Sequence, residues 1–137
     1  MTSQIVLKLN RIPTIRAELV PTVSAIIERG AYAIERRTKE NMARPKSGRQ
    51  YRRGSVVHVA SAPGESPAID TGTLASSIRT TRLSALRYAV QASTIYARML
   101  YEGTTRIAPR PYLEPEAREL VPHIRDEIAR AVRRTAR

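Results

Sequence analysis

TIRAELVPTVSAIIERGAYAIERRTKENM, residues 14–42, is the stretch on which the fold turns. At the 100° per residue of a helix, Ile15, Leu19, Val23, Ile26, Ile27, Gly30, Ala33 and Ile34 gather within about a third of the circumference. Glu18, Glu28, Arg29, Glu35 and Arg36 fall outside that arc, while Arg16 and Arg37 sit within it near its two ends. Glu35 and Lys39 stand four apart with the acid first, the favourable order for an ion pair along a helix. A helix with one apolar stripe must lay it on something, so a long helix packed on a core is expected. Pro21 is read as starting this helix in its first turn, in preference to kinking a longer one.

The far end of the chain carries a second helix, expected over 115–135. Pro115 suits a first helical position, and Glu114, Glu116 and Glu119 complement the positive end of the helix dipole. Ala117, Leu120, Val121, Ile124, Ile128, Ala131 and Val132 cover one arc of about 120°. Pro122 should bend this helix, and Arg130, Arg133, Arg134 and Arg137 make its end basic.

Between and before the helices the period changes. Ile5 to Asn10 alternate apolar and polar, as a short strand does. Residues 43–71 are punctuated by Pro45, Gly48, Gly54, Pro63, Gly64 and Pro67 and read as a long basic loop, in which only 55–60 could extend as a strand. Such loops inside a compact domain usually serve a function or become ordered by a partner. Residues 72–95 read as a single helical turn capped from Asp70, then a hairpin of 77–82 and 86–92 about Leu83, Ser84 and Ala85. Its Leu86, Tyr88, Val90 and Ala92 would face the core. An apolar stretch, 95–101, ends at Gly103, and 106–111 form an extended connector fixed by Pro109 and Pro111. The whole is expected to be a single α+β domain, 1–137, with two long amphipathic helices on a small antiparallel sheet.

Composition narrows the function. The 137 residues hold 42% hydrophobic side chains, enough to fold, but neither Phe nor Trp, so Ile, Leu, Val and Ala must build the core. Without cysteine there is no disulfide framework, thiolate metal site or Cys nucleophile. No run approaches the roughly 18 to 20 apolar residues of a membrane span, and MTSQIVLKLN lacks the apolar core of a signal peptide, so a soluble cytosolic species with no membrane contact is expected. The net charge is +12, of which residues 41–113 supply 11 basic and 3 acidic groups. Within them Arg44, Lys46, Arg49, Tyr51, Arg52 and Arg53 form the candidate surface for phosphates or for an acidic neighbouring subunit.

Catalytic patterns are missing. His58 and His123 have no partner at metal-ligand spacing, and no phosphate loop or nucleophile elbow occurs. Glu65 and Asp70 could form an acid–base pair, but a Pro-containing loop does not set their separation, and Asp70 has a structural use as a cap. No enzyme, cofactor or metal is expected.

SGRQYRRGSVVHVASAPGESPAIDTGTLASSI (47–78), YARMLYEGT (96–104) and PRPYLEPEARE (109–119) follow one another in an order that resembles the phage tail-completion, or neck, family. That family is akin to the lambda minor tail protein Z group of head–tail joining components. The matching positions are Pro63, Gly64, Asp70, Thr71, Gly72 and Leu74, then Tyr96, Glu102, Gly103 and Thr104, then Pro109, Arg110, Pro111 and Tyr112. Tyr101-Glu102 stands in place of the family's Glu-Tyr/Phe order, and Glu116 stands where Ala is usual, with Ala117 one place later. The resemblance implies an α+β structural protein without a catalytic site, forming a homo-oligomeric, hexameric ring in the virion neck or upper tail after assembly in the bacterial cytoplasm. Connector or stopper, tail-terminator and tail-tube proteins would be its partners, with genomic DNA in the channel. From composition alone, the competing reading is a basic DNA-binding or packaging protein.

Overall fold

The structure is a computed structural model, and residues 11–137 are described. The expected strand at Ile5 to Asn10 lies outside the described residues. Helix α1, Ile12–Ala43, is followed by β1, Gln50–Arg53, and β2, Val56–Val59. Then come α2, Thr73–Ser77, β3, Arg79–Ser84, β4, Arg87–Gln91, α3, Ala97–Glu102, and α4, Glu114–Thr135. The fold is α+β: two long helices pack together and against small antiparallel sheets, one pairing β1 with β2 and the other β3 with β4. Among the described residues no helix is long and apolar enough to cross a membrane.

The two helices run antiparallel, since Arg29 meets Glu127 and Arg37 meets Glu116 and Glu119. Gly30 lets them approach closely: a Cβ there would stand 2.7 Å from Ile124 Cγ1. Arg37, a cation inside an apolar arc, is explained by its partners. Its guanidinium lies 3.2 Å from the buried Glu116 and 2.9 Å from Glu119. Asn41 donates a hydrogen bond to the other oxygen of Glu116, tying the first turn of α4 to the end of α1. Glu116 is therefore buried and paired, as a buried charge must be.

On its other side α1 meets the β3–β4 hairpin. The Thr80 N–H donates to Glu35 at 2.8 Å, and Lys39 donates to the same carboxylate at 2.6 Å, as the i,i+4 spacing predicts. Burial pushes the Glu35 carboxyl up, but these bonds outweigh it and hold it below its ordinary value. A core cluster joins Met42, Leu74, Ile78, Ala97 and Tyr112, with Ile78 completely buried.

Four expectations are corrected. Pro21 does not start α1 but sits inside it, and the helix begins nine residues earlier with Pro13 in its first turn. Pro21 is exposed while Leu19, Val20 and Val23 around it are half-buried, so packing of the flanking residues carries the helix past one missing N–H. The loop 43–71 contains a complete hairpin, β1–β2, where only a lone strand was expected. In the second hairpin the register shifts between Arg82 and Ser84, so Leu83 is exposed and so is Leu86, which was expected in the core. The cap of α2 is Gly72, with φ +80° and no side-chain hydrogen bond; the Asp70 carboxylate is used elsewhere.

Candidate functional site

The β1–β2 hairpin is an arm. Arg53 pairs with Val56 across a two-residue turn of Gly54 and Ser55, and Gly54 has φ +58°, the conformation a tight hairpin of the primed type demands at its first central residue. The ladder continues to the base, where Gly48 N–H donates to Ala60 O and Ala60 N–H to Arg49 O. A Cβ on Gly48 would come within 2.7 Å of the Ser61 carbonyl oxygen, so glycine is required there. All of β1 is exposed, and Val56 and Val57 keep 64% and 54% of their surface, with Tyr51 at 38%. An arm with valines in water on both faces lacks a core of its own.

Two carboxylates hold the arm in place. Glu65 accepts from Ser47 Oγ at 2.5 Å, Ala62 N–H at 2.7 Å and Ser47 N–H at 3.2 Å. These bonds, the Ser47 hydroxyl first, hold its carboxyl down to about 2. Asp70 takes Arg53 at 2.7 Å, with His58 Nδ1 4.0 Å away. His58 and Arg53 in turn lie against Tyr51, at 4.9 Å and 5.8 Å. Glu65 and Asp70 thus each serve a separate anchoring contact.

The six candidate basic-loop residues fall into two groups. Lys46 points inward, donating to Asn41 O at 2.7 Å and Ser66 Oγ at 2.8 Å, and burial pulls its ammonium below the usual value. Arg53 is latched to Asp70, with Tyr51 beside it. Arg44, Arg49 and Arg52 are exposed and have no ion pair among the described residues. The inward turn of Lys46 could not be read from spacing, because it depends on Ser66, twenty positions on.

The fourteen positions of the resemblance mostly converge away from the arm tip. Gly64 N–H donates to Pro109 O at 3.4 Å, and Arg110 N–H to Leu100 O at 2.8 Å. Tyr112 is buried beside Leu74, gives its hydroxyl to Ala97 O at 3.2 Å and stands edge-on to Tyr101 at 5.6 Å. Tyr96 is half-buried against the same cluster. Gly103, φ +77°, leaves no room for a Cβ against Pro109, and Thr104 Oγ1 accepts from the Arg106 and Ile107 N–H groups to close the next turn. Thr71 Oγ1 lies 2.9 Å from the Thr73 hydroxyl, while Pro63 is exposed and Glu102 pairs with Arg98 on the surface. These residues build the joint between α1, α2, α3 and the start of α4. Beside it an open groove of about 690 Å³ is lined mainly by apolar side chains, among them Ile27, Ile34, Val90, Leu113 and Val121.

No family model matches this chain, and neither the curated proteins nor the solved structures contain a match.

Proposed function

We propose that the chain is a structural subunit of a long-tailed bacteriophage virion, a tail-completion or neck protein that forms a ring at the head–tail junction. The observation that carries this reading is the arm. Its two strands pair with each other along their whole length, its base is anchored by Glu65 and Asp70, and its side chains Arg49, Arg52, Val56 and Val57 are left in water. A subunit that must grip a neighbouring copy presents such a projection, with valines to bury and arginines to pair bidentately with the neighbour's carboxylates. Supporting it, most of the positions that resemble the tail-completion family meet in one joint in space. No catalytic role is proposed, since Glu65 and Asp70 are both committed to anchoring the arm. Connector, tail-terminator and tail-tube proteins are the expected neighbours in the ring stack.

Arg49→Glu with Arg52→Glu tests this reading. Exposed charges contribute little to fold stability, so the isolated subunit should melt normally. Across an interface the loss of a buried pair costs about 2 to 5 kcal/mol and is repeated around the ring. Electron microscopy of lysates should then show separate heads and tails. Joined and fully infectious particles would overturn the proposal.

A further inference from the structure

Among the described residues eight of the 12 carboxylates lie against cations, and the arginines left over are unevenly placed. Because α1 and α4 are antiparallel, the start of α1 and the end of α4 share one end of the molecule. Arg11, Arg16, Arg130, Arg133, Arg134 and Arg137 are all exposed there, and none has an ion pair among the described residues. Arg130 and Arg134 border a shallow trough of about 490 Å³ between the helices, facing Thr22 and Ile26. Residues 11–27 contain one acidic side chain, Glu18, and residues 128–137 contain none. Asp126 and Glu127 lie further in, Glu127 being bound to Arg29.

Helix electrostatics explain only half of this. Cations in the last turn of α4 favour the negative end of its dipole and need no partner. At the start of α1 the sign is reversed: Arg11 is the capping residue, Arg16 follows in the next turn, and the first turn holds no acid. Those two arginines work against their own helix. What they share with the α4 arginines is a surface of one sign.

We infer that this end of the helix pair is a contact surface for the phosphate backbone of double-stranded DNA. A duplex presents a continuous row of charges, one per about 1.7 Å of its axis, which suits arginines set along two helices. Tyr, Phe and Trp are absent from residues 11–27 and 125–137, so there is no platform for stacking single-stranded bases. Contacts of this kind position a duplex without reading its sequence. The inference goes beyond the ring-subunit reading and does not depend on it, and it places DNA at residues distinct from the arm.

Fluorescence anisotropy with a labelled duplex of about 30 base pairs, titrated with the full chain between about 50 and 200 mM salt, tests it. Arg130→Gln, Arg133→Gln, Arg134→Gln and Arg137→Gln together should weaken binding at least about tenfold and flatten the log K against log salt slope by about 3. Arg11→Gln with Arg16→Gln should also weaken binding, while the melting temperature stays level or rises, because cations leave the wrong end of a dipole. That opposite pair of responses separates a binding role from a structural one, and it decides the matter if the fourfold variant folds poorly. Arg49→Gln with Arg52→Gln should leave affinity within about twofold. The inference is overturned if the chain fails to bind duplex at the lowest salt or binds only anionic phospholipid vesicles. It is equally overturned if single strands bind more tightly than duplex, or if the arm variant loses binding and the helix-end variants keep it.

Discussion

A methyl group at residue 30 would have to displace Ile124, whose Cγ1 would lie 2.7 Å away. The side chain cannot easily swing aside, because a β-branched residue in a helix is nearly confined to one χ1 rotamer. Gly30→Ala should therefore destabilise the fold, with overpacking of about 1 to 3 kcal/mol exceeding the helix-propensity gain of about 1 kcal/mol. Denaturant melts of Gly30→Ala, Ile124→Ala and the double variant form a cycle, in which the double variant should lose less than the sum of the two. A stabilised Gly30→Ala would mean that the helices do not touch at this point. The glycine was visible in the sequence as a member of the apolar arc, but its reason was not, because that reason depends on the register of a helix some ninety residues away. Glu116 is similar. Read locally it complements a dipole, yet in the fold it is buried against Arg37 and Asn41.

Both long helices were legible, since a 3.6-residue period over more than twenty positions needs no tertiary information. The arm was not. Its strands are only four residues long and exposed on most of their surface, so no alternation of hydropathy marks them. Only the Gly54-Ser55 pair between QYRR and VVHV carried a hairpin signal. Its anchor Glu65 has a pH signature. Because its folded value, about 2, lies below the ordinary 4.5, the stabilisation it gives is complete above the ordinary value and is lost as pH falls from about 4.5 through 2. The amide protons of Ser47 and Ala62, which donate to this carboxylate, should titrate in NMR with a midpoint near 2. Glu65→Gln should abolish that titration and speed hydrogen exchange at Gly48 and Ala60, the two amides at the foot of the ladder. A midpoint at the ordinary carboxylate value would show that the three hydrogen bonds do not hold in solution.

At the scale of the molecule, charge is the property that sequence composition announced and the fold sorted. The flanking helices followed from periodicity, but which cations are spent could only be read once the helices were paired. Arg37, Lys39 and Arg53 are consumed internally, while Arg49, Arg52 and the six arginines at the helix end stay unpaired among the described residues. A net charge of +12 on 137 residues repels itself in the folded state, and that repulsion acts between exposed groups over distances that salt screens efficiently. The ion pair of greatest structural weight, Arg37 with Glu116, is sheltered by the burial of its carboxylate and is screened much less. Added salt should thus relieve repulsion more than it weakens attraction. The melting temperature of the isolated subunit should climb by a few degrees between about 20 and 200 mM sodium chloride, where the Debye length shrinks to about 7 Å. Differential scanning calorimetry on dilute, monomeric protein measures this directly. A melting temperature that falls over the same range would mean that surface ion pairs such as Arg98–Glu102 and Arg118–Glu114 outweigh the unpaired arginines in the stability of the fold.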